Sequence, residues 1–174
     1  MFANPAKILK NFGVREDMVA VDLGAGTGAY SIPLAQMVPR GKVYAIEIQQ
    51  DFLAEITKKI KEENLDNIEC IWGDVEKKEG TKLKDGIADA VIASNVLFQI
   101  EDKESFADEI KRILKPDGRL LLIDWSEKNG LPGSRFFRIF PEREARELFE
   151  TRGFKAEREI DAGSHHYGII LRKP

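Results

Sequence analysis

The 174-residue sequence has one cysteine, two histidines, a net charge of only −3 and no run of about 18 apolar residues. Each scarcity excludes something. The single Cys70 cannot form an internal disulfide. Without a long apolar run there is no candidate membrane-spanning helix, and the first residues lack the basic, apolar and small-residue succession of a secretory leader. A cytoplasmic location is the expectation. A charge of −3 leaves no electrostatic footprint for a polyanion, which weighs against a nucleic-acid partner. No linker, repeat or low-complexity stretch divides the chain, so one domain over residues 1–174, opened by a short helix, is expected. No metal site is expected.

What the chain does have is an alternation of helix and strand signals. Asn4 and Pro5 form an N-cap and first-turn pair ahead of Ile8, Leu9 and Phe12, and Gly13 closes that helix. Strands are predicted over 18–23, 43–47, 68–72, 88–93 and 119–124. Helices follow the first two, burying Ile32, Ala35 and Val38 in one and Phe52, Ile56 and Ile60 in the next, the spacing of one helical face. Residues 76–87, rich in lysine, glutamate and glycine, read as an exposed connection. A fourth helix sets Phe106, Ile110, Ile113 and Leu114 on one face and stops at Pro116-Asp117-Gly118. A last helix over 141–151 precedes strands at 154–160 and 167–171, whose six-residue separation permits only an antiparallel hairpin.

The most informative stretch is Val21-Asp22-Leu23-Gly24-Ala25-Gly26-Thr27-Gly28, a strand running into three alternating glycines and then an apolar helix. Glycines at these positions allow backbone conformations barred to other residues and leave room for a ligand, and the helix start offers unpaired N–H groups. Alternating units of this kind wind into a doubly wound α/β sheet whose ligands sit at the carboxyl ends of the strands. The glycine turn is shared by two chemistries. Gly24, Gly26 and Ala29 also satisfy a loose dinucleotide fingerprint, so a nucleotide-linked (NAD) oxidoreductase stays open at this level, as does a non-catalytic nucleotide-binding protein.

The order of further motifs resembles the class I S-adenosylmethionine-dependent methyltransferases. Glu47 ends the second strand, Gly73-Asp74-Val75 follows the third, Ala93-Ser94-Asn95 closes the fourth, and Leu114-Lys115-Pro116-Asp117-Gly118-Arg119-Leu120 leads into the fifth. The likeness runs from about residue 18 to the end and is similar to the small ubiquinone-biosynthesis-type (UbiE-like) branch. It implies a Rossmann-like sheet of seven strands ordered 3-2-1-4-5-7-6 with strand seven antiparallel. It also implies S-adenosylmethionine as cofactor and S-adenosylhomocysteine as product. By the same resemblance the turn Gly24, Ala25, Gly26, Thr27 and Gly28 cradles the methionine portion, with Asp22 near its amino group. Glu47 accepts both ribose hydroxyls, with Ile48 beside it. Asp74 takes the adenine amine and the Val75 N–H a ring nitrogen, while Asn95 and Phe98 lie beside the cofactor and its methyl group.

Catalytic residues are harder to read, because a sulfonium methyl is already activated and alignment supplies most of the catalysis. The strand-four motif is not Asn-Pro-Pro-Tyr, since Val96-Leu97-Phe98 follows Asn95, and the cysteines of arsenite methyltransferases are missing. A small-molecule acceptor is therefore expected. The stretch 125–140, with Trp125, Arg135, Phe136, Phe137, Arg138 and Phe140, suits a lid. His165 and His166, in the last hairpin, are the candidates for moving a proton at neutral pH.

Overall fold

The computed structural model describes residues 4–127 and 139–174. Helix α1 (Pro5–Phe12) begins where Asn4 Oδ1 accepts from the backbone N–H groups of Ala6 at 2.9 Å and Lys7 at 3.4 Å. It ends at Gly13, whose φ of 84° is the left-handed cap that glycine adopts without strain. Ile8, Leu9 and Phe12 are buried, as their spacing predicts.

The remaining elements alternate: β1 (Val19–Leu23), α2 (Ser31–Met37), β2 (Lys42–Glu47), α3 (Gln50–Glu62), β3 (Ile68–Trp72), β4 (Ala88–Ser94) and a 3-10 turn (Leu97–Gln99). Then come α4 (Lys103–Ile113), β5 (Leu114–Trp125), α5 (Glu142–Glu150), β6 (Lys155–Glu159) and β7 (His166–Arg172). They form one seven-stranded sheet ordered β3-β2-β1-β4-β5-β7-β6. Strands β1 to β5 are parallel, while β7 is antiparallel to both β5 and β6. The order and the reversed seventh strand agree with the expectation.

Central strands covered on both faces read as continuous apolar runs. Ala20, Val21 and Leu23 of β1 and Ala90 to Ala93 of β4 are buried accordingly. Successive side chains divide between two layers. Val21, Leu23, Val91, Ala93, Leu120 and Leu122 pack with Phe106 and Ile110 of α4 and Phe149 of α5. Ala20, Val43, Ala45, Ile92 and Leu121 pack with α1, with Ile32 and Leu34 of α2 and with Ile56 of α3.

Three local expectations are corrected. Of the α3 face only Ile56 is fully buried, with Phe52 and Ile60 half-exposed, because α3 lies over the sheet margin at β2 and β3. Helix α4 ends at Ile113 rather than running to the proline, and Leu114 already pairs with Ala88. A residue before proline is pushed out of the helical region, which explains the early stop. The connection over 76–87 is not simply exposed: Thr81 and Leu83 are buried. Glu109 of α4, also buried, draws the connection in. Its carboxylate accepts from Glu79 N at 3.0 Å, Thr81 N at 3.2 Å, Thr81 Oγ1 at 2.6 Å, and Arg112 Nε and Nη2 at 2.9 and 2.7 Å. Burial alone pushes the Glu109 pKa up, but these hydrogen bonds, first those from Arg112 and Thr81, hold it below its ordinary value.

Candidate active site

The sheet delivers β1 to the middle of its carboxyl edge, between β2 and β4, and the glycine turn starts there. Gly24 and Ala25 donate their N–H groups to Ile46 O of β2 at 2.9 and 3.0 Å, so the turn bends toward β2. Gly24 has φ 67°, and a Cβ there would meet Val96 Cγ2 at 2.7 Å. Both facts exclude a larger residue. Gly28, at φ 85°, is constrained in the same two ways, and a Cβ on it would press on Ile56 and Ile32 at 3.3 and 3.4 Å.

A cleft of about 630 Å³ opens beside this turn, within the range of small-molecule sites. Its wall takes Asp22, Gly24, Ala25, Gly26 and Thr27 from β1 and the turn, Glu47 and Ile48 from the end of β2, Asp74 and Val75 after β3, and Asn95 after β4. Of the residues expected to bind the cofactor, Gly28 and Phe98 are not on the wall. Phe98 donates its backbone N–H to Asp124 Oδ2 at 3.1 Å. Asp124 is fully buried, and burial pushes its carboxyl up to about 6.

Glu47 is buried, and its carboxylate is already engaged. Oε2 accepts from Gly26 N at 2.8 Å, and Oε1 accepts from Ile48 N at 2.8 Å and Gln49 N at 2.9 Å. A carboxylate has about four lone-pair positions. Three are used by backbone, so Glu47 both locks the glycine turn to β2 and keeps room for one further donor, not two.

Asp22 is 2% exposed and accepts from Ser31 Oγ at 2.5 Å. Burial, reinforced by the nearby charge of Glu47 and opposed by the Ser31 hydroxyl, raises its pKa to about 7. Among the described residues no lysine or arginine charge opposes the shift. Tyr30 stands next to it. Its phenol is raised to about 12, chiefly by burial, against a hydrogen bond with Ser94.

On the far wall, Glu76 N donates to Asp74 Oδ1 at 3.0 Å, shaping the turn after β3. The Glu76 carboxylate reaches across to the start of α4, where Oε2 accepts from Glu101 N at 3.0 Å and Asp102 N at 2.9 Å. The loops following β3 and β4 are thereby tied together.

Other wall residues were not legible as site residues, among them Tyr30, Gln49, Phe52, Ser94, Gln99 and Ile100. Phe52 and Ile100 have core-like spacing, and only the cleft at their margin distinguishes them from core. Tyr30 carries a usable signal, an aromatic placed directly after the glycine turn.

The last hairpin does lie at the carboxyl edge, for His166 is in register with Trp125 at the end of β5. Their rings stack at 4.3 Å with a 30° tilt, and Ser126 N donates to His165 O at 2.9 Å. Burial, then the charge of His165, lowers the His166 pKa. Neither histidine is on the cleft wall. Strand β7 stands two strand spacings from β4, about 10 Å. Of the expected lid, Phe140 is half-buried with Lys103 Nζ 5.0 Å from its ring centre. Arg135, Phe136, Phe137 and Arg138 lie outside the described residues.

A family model for a methyltransferase domain matches residues 15–159. Demethylmenaquinone methyltransferase of Lactobacillus johnsonii is 30% identical over 144 residues, covering 78% of this chain and 57% of that protein. The enzyme of the same name from Lactococcus lactis is 32% identical over 122 residues, covering 70% and 47%. The chain thus spans about half the length of the curated relatives it matches. Among solved structures, a SAM-dependent methyltransferase from Aquifex aeolicus superposes with a TM-score of 0.87 at 29% identity, over 99% of this chain and 90% of that one. Geranyl diphosphate C-methyltransferase from Streptomyces coelicolor, solved with S-adenosyl-L-homocysteine, superposes at 0.80 with 14% identity over 98% and 75%, a likeness of fold alone.

Proposed function

Because the chain belongs to the class I S-adenosylmethionine-dependent methyltransferases, we propose that it moves a methyl group from S-adenosylmethionine to a small-molecule acceptor. The observation that carries this reading is the convergence of the glycine turn, Glu47 and Asp74 on one cleft at the carboxyl ends of β1, β2 and β3. The donor set fits the cofactor. Asp22, a buried carboxyl with no opposing cation among the described residues, suits an ammonium group; Glu47 keeps one acceptor position for a ribose hydroxyl; Asp74 and the Val75 N–H suit the edge of adenine. Ala25, Thr27 and Ile48 add backbone and apolar contact.

S-adenosylmethionine, when bound, supplies an activated methyl whose carbon–sulfur bond breaks with the electron pair remaining on sulfur. The chain's own task is to align the acceptor behind that methyl and, where the nucleophile carries a proton, to let it leave. His166 and His165 are the candidates to receive it from an acceptor that reaches past the cleft toward the end of β5, since neither lies on the cleft wall. Residues 1–174 act in this reading as one methyltransferase domain, placed in the cytoplasm. Among the described residues no helix is long and apolar enough to cross a membrane.

The relatives named for demethylmenaquinone point the acceptor toward planar, apolar, quinone-type molecules. An NAD-linked oxidoreductase is not favoured, since the family match and the antiparallel β7 both follow the methyltransferase pattern. Calorimetry with S-adenosylhomocysteine and with NAD tests the proposal: saturable binding of the former is expected, and tight binding of NAD alone would overturn it.

A further inference from the structure

Two large apolar side chains stand out as exposed among the described residues, Ile48 at 49% and Trp72 at 46%, and they belong to one small construction. Glu47 and Trp72 are in register where β2 and β3 end, and Gly73 N donates to Glu47 O at 3.1 Å. Beyond that rung the two main chains part. Gln49 N turns to Glu47 Oε1 at 2.9 Å, and the Ile48 carbonyl is met by a side chain, since Trp72 Nε1 donates to it at 2.9 Å. Ile48 N donates to Glu47 Oε1 at 2.8 Å. Both polar groups of the Ile48 main chain are thus fixed by side chains, one by a carboxylate and one by an indole.

Burial does not demand the indole bond. Strand β3 lies at the sheet edge and nearly half of Trp72 faces water, which would satisfy an indole N–H as well as a carbonyl does. The ring is nonetheless braced. Lys82 Nζ lies 4.7 Å from its centre, and Lys82 holds φ 61° directly after Thr81, whose N and Oγ1 both donate to the buried Glu109 carboxylate. What the arrangement leaves uncovered is the Ile48 side chain. It stands on the same cleft wall as Glu47, Asp74 and Val75, whereas Trp72 is not on that wall. With a ribose hydroxyl at Glu47 and the adenine edge at Asp74 and Val75, the face of the purine falls against Ile48. An apolar side chain held half in water beside a cleft, its main chain locked on both sides, is a contact surface set in advance of the ligand.

We propose that Trp72 is a positioning residue for the cofactor, whose indole N–H fixes the Ile48 carbonyl and so sets the Ile48 side chain against the purine ring. This rests on the methyltransferase reading. Trp72 touches no ligand atom in this arrangement and acts through Ile48.

The test is calorimetry with S-adenosylhomocysteine on the whole chain, comparing the parent, Trp72→Phe, Ile48→Ala and the double variant. Trp72→Phe keeps a ring beneath Lys82 and lacks the N–H, and it should bind about three- to tenfold more weakly, the loss corresponding to one neutral hydrogen bond. Ile48→Ala should bind about three- to thirtyfold more weakly, as fits partial loss of one apolar contact. In the Ile48→Ala background the step to Trp72→Phe should cost less than about twofold, because the side chain being positioned is gone. A role confined to holding the sheet edge together does not produce that non-additivity. Urea unfolding of Trp72→Phe should keep the single cooperative transition of the parent. A loss below about threefold in Trp72→Phe, a loss of twofold or more for the same step in the Ile48→Ala background, or an Ile48→Ala chain that binds as the parent does or not at all would each overturn the proposal. A Trp72→Phe chain that does not fold would overturn it as well, since the indole would then be holding the sheet edge. A parent that binds no S-adenosylhomocysteine would instead sink the methyltransferase reading beneath it.

Discussion

Asp22 should make this protein both less stable and more ready to bind a cation as pH rises through neutrality. Its folded pKa is about 7 against an ordinary 3.8, so between those limits the folded state holds a proton that the unfolded state has lost. The sign follows. The contribution is fully present below about pH 4 and is lost as pH rises through the folded pKa, a span of about 3 units or about 4 kcal/mol in order of magnitude. Over the accessible window from pH 5.5 to 8.5, about 1.5 units of that span remain, or about 2 kcal/mol. Asp22→Asn removes the titration while leaving an oxygen for the Ser31 hydroxyl to meet. Urea unfolding of parent and variant at both pH values should show the parent losing about 2 kcal/mol relative to the variant on going to the higher pH. A ligand ammonium beside Asp22 favours the ionised form, so S-adenosylhomocysteine binding at pH 6 should release close to one proton, read as a dependence of the calorimetric enthalpy on the buffer. The variant should release none from this site. Parallel pH slopes for the two proteins, together with buffer-independent enthalpies, would refute the reasoning.

Glu47→Ala should weaken S-adenosylhomocysteine binding by about ten- to a hundredfold, since it removes an acceptor for the ribose and also frees the N–H groups of Gly26, Ile48 and Gln49; calorimetry measures it, and unchanged affinity would remove Glu47 from the site. Glu109→Ala should destabilise the fold by about 3–5 kcal/mol, because Arg112 and the Thr81 hydroxyl lose their buried partner; chemical denaturation at pH 7 reads this directly. With His166 as proton acceptor, His166→Ala should lower the methyl-transfer rate at saturating cofactor by at least about tenfold and flatten its acidic limb. Unchanged profiles in both His165→Ala and His166→Ala would take the hairpin out of the chemistry.

The parts of the fold legible in the sequence were those whose cause is local. Asn4, Pro5 and Gly13 fix α1 within a few residues, and alternation of apolar runs with helical faces gives the layered sheet. The strand order came instead from the resemblance, because periodicity does not say which strands adjoin. The connection after β3 was misread for a related reason. Its lysines and glutamates describe solvent well, but the residue that buries Thr81 is Glu109, 28 positions on, and no pattern within the connection announces it. Phe52 and Ile100 show the same limit at the site, since helical spacing identifies an inward face without saying whether a cleft or a core lies there.

The single carboxylate of Glu76, clasping the backbone of residues 101 and 102, gives the cleft a fixed gauge. The turn bearing Asp74 and the segment following Gln99 and Ile100 are joined there by one side chain. Two half-sites contributed by different strands become one instrument, and its calibration is written in the length of a glutamate.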